Sequence, residues 1–369
     1  MGDNGICQDA LSVVTHYGEA QFMTKLSGVN DYITRSASQL ESLATEIMSA
    51  IGCRDDIASM VANHLVDASC KGIGSHGMMR LMQYAEQAES GYFLPSARPS
   101  AHQNQHGAWI IDGGGGMGIP AMAMGIDKGT SLAKEHGMAV VGVTHCAHTG
   151  RLGAFCEQGA AAACLTITFG GGARRNWRQV VPYGGAKAKL PTNPYGFGIP
   201  GGDRGPVILD FATSAGAGGW IYLAKSAGGR LPEGLIVDAR GKPSTDPDDY
   251  LNGGALLPAA GAKGYGLGLM AELVGEALLG TATTEMNWII LLVDTARYRD
   301  DSTFKHAAES ILSDIRECPA ADGFDRVEIP GERERALEKI YRKEGVPIPA
   351  ATWDQIIMLA EQLNVRSVR

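Results

Sequence analysis

The sequence predicts an α/β protein in which an α/β layer is joined to a helical domain built from both ends of the chain. Three observations predict it. Apolar residues recur at helical spacing through much of the first hundred residues. Strand and helix signals alternate from about residue 108. Helical spacing returns from about residue 303. Residues 1–107 with 295–369 are therefore expected to form a discontinuous helical domain, and 108–294 the α/β domain.

Residues 1–35 show no clear period and read as a loosely held extension. Ser38 with Glu41 is a capping-box pattern, and Leu40, Leu43, Ala44, Ile47, Met48 and Ile51 follow at helical spacing. A second helix follows Asp55-Asp56 and stops near Lys71-Gly72; His64, on its apolar side, reads as a packed core residue. A third is expected from about Ser75 to Gly91. Trp109-Ile110-Ile111 reads as a strand, then Gly113 to Gly118, then a helix of small residues to about His136. Ala139–Val143, Leu165–Phe169, Val207–Leu209 and Trp288–Val293 are further strand candidates, and residues 170–206 are loop-rich. The apolar window Gly264–Ala282 contains Glu272 and Glu276 and reads as a buried helix rather than a membrane span. Phe304–Arg316, Glu332–Lys343 and Trp353–Leu363 close the chain as helices.

Glycine is abundant, 50 of 369 residues, which suits a ligand site built partly from main chain. The net charge of -8 argues against a nucleic-acid partner, which usually meets a basic face. The seven cysteines include no Cys-x-x-Cys pair and read as the scattered thiols of a cytoplasmic protein. No secretory signal is visible in residues 1–20.

Several segments carry chemistry. In Ser75-His76-Gly77-Met78-Met79-Arg80, a helix starting at Ser75 would set His76 and Arg80 on one face. An imidazole can give a proton to a nascent alkoxide, and a guanidinium can clamp a carboxylate with two bonds. A solvated helix start with Ser75 as its cap is the plainer alternative. Gly113–Gly118 fits G-x-G-x-x-G, but no acidic residue ends the next strand to hold a ribose. A glycine turn is the plainer alternative there. In His145-Cys146-Ala147-His148-Thr149-Gly150-Arg151, His148 is a second acid/base candidate after a strand; a zinc reading lacks a clear fourth ligand, and no metal is assigned. Pro182-Tyr183-Gly184-Gly185, Thr192-Asn193-Pro194 and Asp210 to Ser214 read together as backbone-rich loops facing a ligand. Lys263-Gly264-Tyr265-Gly266 puts a cation at a helix start, suited to a phosphate or carboxylate. Arg174 to Arg178 is either an anion site or a solvated loop.

Taken in order along the chain, these motifs, with Asp112-Gly113, Asp238 to Asp246 and Pro330-Gly331-Glu332, resemble the malate/L-lactate dehydrogenase type 2 family over roughly residues 36 to 365. The resemblance implies a non-Rossmann, mixed-sheet dinucleotide-binding domain beside the helical one, which removes the Rossmann reading of Gly113–Gly118. It implies a homodimer, with NAD or NADP in an inter-domain cleft. It implies hydride transfer to a small 2-oxo acid or from a 2-hydroxy acid; some members reduce the C=N bond of cyclic imino acids. His76 and His148 match the two histidines to which members assign the acid/base role. Arg80 matches the substrate-side arginine, with Ser75 and Thr149 beside it. Asp210, Phe211, Ala212 and Lys263 match positions lining the dinucleotide. Pro182, Thr192, Asn193 and Gly264 are assigned to the cofactor with them, and Gly172 through its main chain. The expected partners are a small carboxylate substrate and a second copy of the chain, with neither nucleic acid nor membrane.

Overall fold

The computed structural model describes residues 31–365 apart from 219–220, 222–223 and 226–228. Most of the expected extension, residues 1–30, lies outside the described residues. Its last residues form a strand, β1 (Tyr32–Arg35). Helix α1 (Ala37–Ala50) follows. Its capping box is Ser36 with Gln39, two residues before the expected Ser38 and Glu41, because Ser36 is the residue held in extended backbone. Helix α2 (Asp55–Cys70) has Asp55 and Asp56 in its first turn, where the helix dipole favours negative charge.

The third helix differs from expectation. Gly74–His76 form a single 3-10 turn, and α3 (Arg80–Glu89) begins only at Arg80. At the break Gly77 is extended (φ -93°, ψ -149°) and so close to α2 that a Cβ there would lie 2.2 Å from the Ser69 Oγ. That hydroxyl accepts the Met78 N–H at 3.1 Å and ties the turn to α2. Ser75 is thus not the cap of this helix.

The chain then builds a mixed sheet. β2 (Ser100–Gln103) and β3 (Trp109–Gly116) lead into α4 (Gly118–His136) and β4 (Met138–Cys146). α5 (Leu152–Ala161), β5 (Cys164–Gly171), β6 (Tyr195–Ile199) and β7 (Val207–Phe211) follow. β8 (Ile236–Val237), β9 (Pro243–Ser244), α6 (Pro247–Leu251) and β10 (Ala255–Leu256) form a small unit. α7 (Ala262–Glu272) runs into a π-helical stretch, Leu273–Leu278, before β11 (Asn287–Asp294). α8 (Asp301–Arg316), α9 (Glu332–Glu344), β12 (Val346–Pro349) and α10 (Ala350–Gln362) complete the chain.

The seven-stranded sheet has the order β2-β3-β4-β11-β5-β6-β7. Only β3 and β4 are parallel. The other neighbours are antiparallel. This is the mixed, non-Rossmann sheet. The apolar run of β11 fits its central place, paired on both sides and buried at Trp288, Ile289, Ile290 and Leu292. α4 lies flat on the sheet: a Cβ on Gly125 or Gly129 would fall 2.7 Å and 2.4 Å from Ile290 and Leu292.

β1 pairs antiparallel with β12, so the two ends of the described chain meet. One hydrophobic cluster runs from Leu40 and Ile47 through Ile111, Met122, Val143 and Ile290 to Leu337, Ile348 and Ile356. A separate cluster holds the β8–β10 unit together, with Val180, Leu190, Ile236 and Leu256 in it.

The window Gly264–Ala282 departs from its reading as a buried helix. Gly264, Gly268, Ala271, Glu272 and Gly275 are buried, whereas Leu267, Leu269, Met270, Leu273 and Leu278 are exposed. Small residues make the contact. A Cβ on Gly171 would lie 2.0 Å from the Ala271 carbonyl oxygen, and one on Gly275 2.1 Å from the Gly171 carbonyl carbon. Backbone meets backbone there, and the large side chains turn outward. No helix among the described residues is long and apolar enough to cross a membrane.

Candidate active site

The glycine run at the end of β3 is where the site starts. A Cβ on Gly113 would sit 2.5 Å from that of Cys146, and one on Gly118 2.2 Å from the Ala147 carbonyl oxygen. The loop after β4 crosses these glycines, with Ala147 N–H donating to Gly116 O at 2.9 Å and Gly118 N–H to His148 O at 3.1 Å. The glycines are occupied by this loop and leave no cradle for a phosphate. From behind, the His64 ring backs the loop. Arg151 N–H donates to His64 Nε2 at 2.9 Å, and Gly150, at φ +72°, leaves no room for a Cβ against the same ring. Burial, with Arg151 adding to it, pushes His64 down to about 4. It is a packed, neutral core histidine.

The loop delivers His148 to the 3-10 turn and α3. The rings of His76 and His148 stack with centroids 5.6 Å apart. Tyr84 Oη lies 2.7 Å from His148 Nδ1, and Gly150 N–H donates to the same nitrogen at 3.3 Å. An Nδ1 that accepts leaves the proton of the neutral ring on Nε2. Ser75 Oγ lies 3.0 Å from His76 Nδ1. The Arg80 guanidinium donates to Ser75 O through Nε at 2.7 Å and to Gln83 Oε1 through Nη1. Among the described residues its Nη2 takes no partner. His76 and Arg80 thus come together, although not on one helix face: the chain folds back through the Gly77 break.

The electrostatics are uniform. Burial first, then the charge of Arg80, lowers His76 to about 3. The same two causes hold His148 well below its usual range. Burial raises the Tyr84 phenol. Nearby, burial raises the Glu285 carboxyl to about 7, against the pull of Arg80 and a hydrogen bond from Gln87.

Other expected residues are placed differently. Thr149 is 2% exposed, with its methyl against Gly118. Asp210 Oδ2 accepts Gly153 N–H at 2.7 Å at the start of α5, on the helix that follows the His148 loop. Phe211 stacks with Tyr195 and Phe197. Gly172 N–H is committed to the buried Glu272 at 2.9 Å, so the expected main-chain contact has no donor there. The Asn193 amide is fully buried and donates to Glu272 and Gly170 O. Thr192 O accepts the N–H and hydroxyl of Thr213, and Thr213 O accepts Ala259 N–H. A Cβ on Gly264 would touch Ala259 and Thr213 oxygens, so these turns form one cluster at the start of α7. There α7 has no side-chain cap, Lys263 is exposed, and Tyr183, 64% exposed, lies against Gly261 beside Pro182. Ala212 is half-buried between the two groups.

Arg174 and Arg175 both pair with Glu276. His145 pairs with Asp112 at 3.1 Å, away from the partners of His148. Among the described residues no three His, Cys, Asp or Glu side chains gather as a metal site would need. Sequence reading missed Tyr84, Gln87 and Glu285. Tyr84 and Gln87 carry a usable signal, since they follow Arg80 at i+4 and i+7. Glu285 has none, because only the tertiary fold brings it near.

Comparison with known proteins agrees with this architecture. A family model described as malate/L-lactate dehydrogenase matches residues 35–357. An L-lactate dehydrogenase of Cupriavidus necator is 32% identical over 344 residues, covering 89% of this chain and 98% of the relative. A Δ1-pyrroline-2-carboxylate/Δ1-piperideine-2-carboxylate reductase of Pseudomonas putida is 31% identical over 329 residues, 84% of this chain and 92% of that one. The solved sulfolactate dehydrogenase of Methanocaldococcus jannaschii superposes with a TM-score of 0.80 at 26% identity, over 91% of this chain and 98% of that one. With this fold, these motifs in order and a match over most of its length, the chain belongs to the malate/L-lactate dehydrogenase family of oxidoreductases.

Proposed function

We propose that the protein moves a hydride between NADH or NADPH and a small 2-oxo or 2-hydroxy acid. The convergence of His76, His148, Tyr84 and Arg80 carries this reading. The free edge of the Arg80 guanidinium takes the carboxylate. His148 presents Nε2 to the oxygen of the reacting carbon, with its Nδ1 held by Tyr84 and Gly150. His76, stacked on it, orients the substrate.

Both rings are neutral in the free protein because burial and Arg80 disfavour their charged forms. A bound carboxylate offsets the charge of Arg80, so His148 can take up a proton and pass it to the alkoxide oxygen. In the oxidative direction Nε2 accepts that proton from the tautomer that carries its hydrogen on Nδ1, which then donates to Tyr84 Oη. Nicotinamide, when bound, supplies or accepts the hydride. The start of α7 fits such a dinucleotide: the exposed Lys263 beside the positive end of the helix suits a phosphate, and Tyr183 offers an open ring. Asp210, Gly172 and Asn193 shape this region through their contacts with the protein itself.

A cyclic imino acid is the second reading, favoured by the likeness to the P. putida reductase. The same arginine and histidine would serve C=N reduction. The test is a panel of pyruvate, oxaloacetate, sulfopyruvate, ureidoglycolate and Δ1-piperideine-2-carboxylate, with each cofactor in its appropriate redox form. Turnover of at least one is expected; none with any cofactor would end the reading.

Three further points belong to it. The exposed Leu267, Leu269, Met270, Leu273 and Leu278 support a homodimer formed across the α7 face. The free thiols among the described residues, all buried except Cys318, suit a cytoplasmic setting. We assign residues 108–294 to the cofactor domain, with β2 pairing onto its sheet, and the other described residues of 1–107 and 295–369 to the helical one.

A further inference from the structure

We infer that Glu285 reads the far end of the substrate: the site selects acids whose other end donates a hydrogen bond or carries positive charge, and rejects a second acid group. This rests on the reading that Arg80 holds the carboxylate. Helix α3 sets out the order. Arg80, Tyr84 and Gln87 stand at i, i+4 and i+7 and share one face. A rise of about 1.5 Å per residue separates Arg80 from Gln87 by about 10 Å along the axis, with Tyr84 between them. Tyr84 holds His148, and Gln87 holds Glu285 by a side-chain hydrogen bond. A small acid lying along this face, carboxylate at Arg80 and reacting carbon at His148, therefore points its remaining end towards Glu285.

The residue before Glu285 is held in place from two sides. Tyr92 Oη donates to Thr284 O at 3.2 Å, and Thr284 Oγ1 donates to Cys146 O at 2.6 Å. The segment before β11 is thereby tied both to the chain beyond α3 and to the end of β4 that leads to His148. Among the described residues Glu285 has no ion pair, although the charge of Arg80 reaches it. Gln87 Oε1 is buried and has no hydrogen-bond partner. Above its raised value of about 7 Glu285 is a carboxylate, so it and Gln87 Oε1 stand as two acceptors at the far end, and no donor answers the second. There a hydroxyl, amide or N–H group would satisfy them, and a second carboxylate or a sulfonate would meet like charge.

The test compares, at about pH 8.5 where Glu285 is ionised, two substrates of nearly equal size, oxaloacetate and its distal amide, 2-oxosuccinamate. The wild-type protein is expected to favour the amide in kcat/KM by at least tenfold. Glu285→Gln should reduce that ratio at least tenfold, and Glu285→Asp should keep it, with melting temperatures showing that both variants fold. A wild-type preference for oxaloacetate, or a ratio unchanged in folded Glu285→Gln, overturns the inference while leaving 2-oxo acid turnover intact. Failure to turn over any 2-oxo or imino acid would instead overturn the underlying function, and this inference with it.

Discussion

In the proposed reaction Arg80 and Tyr84, four residues apart on α3, act on different parts of the site. Arg80 is a charge with a planar fork, already half engaged by Ser75 O and Gln83. Arg80→Lys keeps the charge but loses the fork, so KM should rise about tenfold or more with little change in melting temperature. Steady-state kinetics check this, and a wild-type KM would remove Arg80 from the carboxylate. In the same proposal Tyr84 acts through His148, as a positioning residue. Tyr84→Phe keeps the packing and removes the hydroxyl from Nδ1. We expect kcat to fall about 10- to 100-fold, KM to change little, and the pH profile of kcat to move, because the ring has lost a partner. Unchanged kcat and pH profile would reduce Tyr84 to a packing role.

At the scale of elements, glycines place the site. The β3 run seats the His148 loop, and Gly171 admits α7 with its π-helical extension. Gly171→Ala would put a methyl 2.0 Å from the Ala271 carbonyl oxygen, a backbone atom that cannot swing away. A loss of about 2 kcal/mol or more is expected in urea unfolding. Gly266→Ala, on α7 itself, is the contrast. Nothing lies within 4 Å of the added Cβ, and helical alanine is favoured over glycine by up to about 1 kcal/mol, so this change should be neutral or stabilising. Equal effects of the two changes would contradict the close packing described for α7.

At the scale of the whole molecule, buried titratable groups set the response to acid. His64, His76 and His148 all have folded-state values below their ordinary 6.5. Below that pH the unfolded chain binds the extra protons, so each histidine makes stability fall as pH falls. Glu285 has the opposite sign. Its carboxyl is at about 7 against an ordinary 4.5, so the folded state holds the extra proton between those values and gains stability as pH falls. Three groups outweigh one. Thermal melts should show stability dropping as pH falls below about 6.5. The drop should be steeper in Glu285→Gln, which lacks the opposing group. A melting temperature flat between about pH 6.5 and about pH 4.5 would show that these histidines are not held neutral.

Much of this was legible in the chain itself. The apolar pattern located α1, α2 and β11 because burial of one stripe, or of both faces, leaves a pattern in consecutive residues. The Ser75–Arg80 and His145–Arg151 segments were visible as chemistry because residue type and local spacing carried it. Short β1, β6 and β12 were not, since their pairing depends on distant partners. Nor was the exposed face of α7, whose inward side is chosen by what glycine allows across the sheet. Local sequence determined which segments become helices and strands and which residues bear acid/base and cationic groups. Only the tertiary structure decided that Tyr84 meets His148, that Asn193 and Gly172 spend their donors on Glu272, and that Glu285 lies within the field of Arg80. Those contacts join residues tens to about two hundred positions apart, and no local period records them.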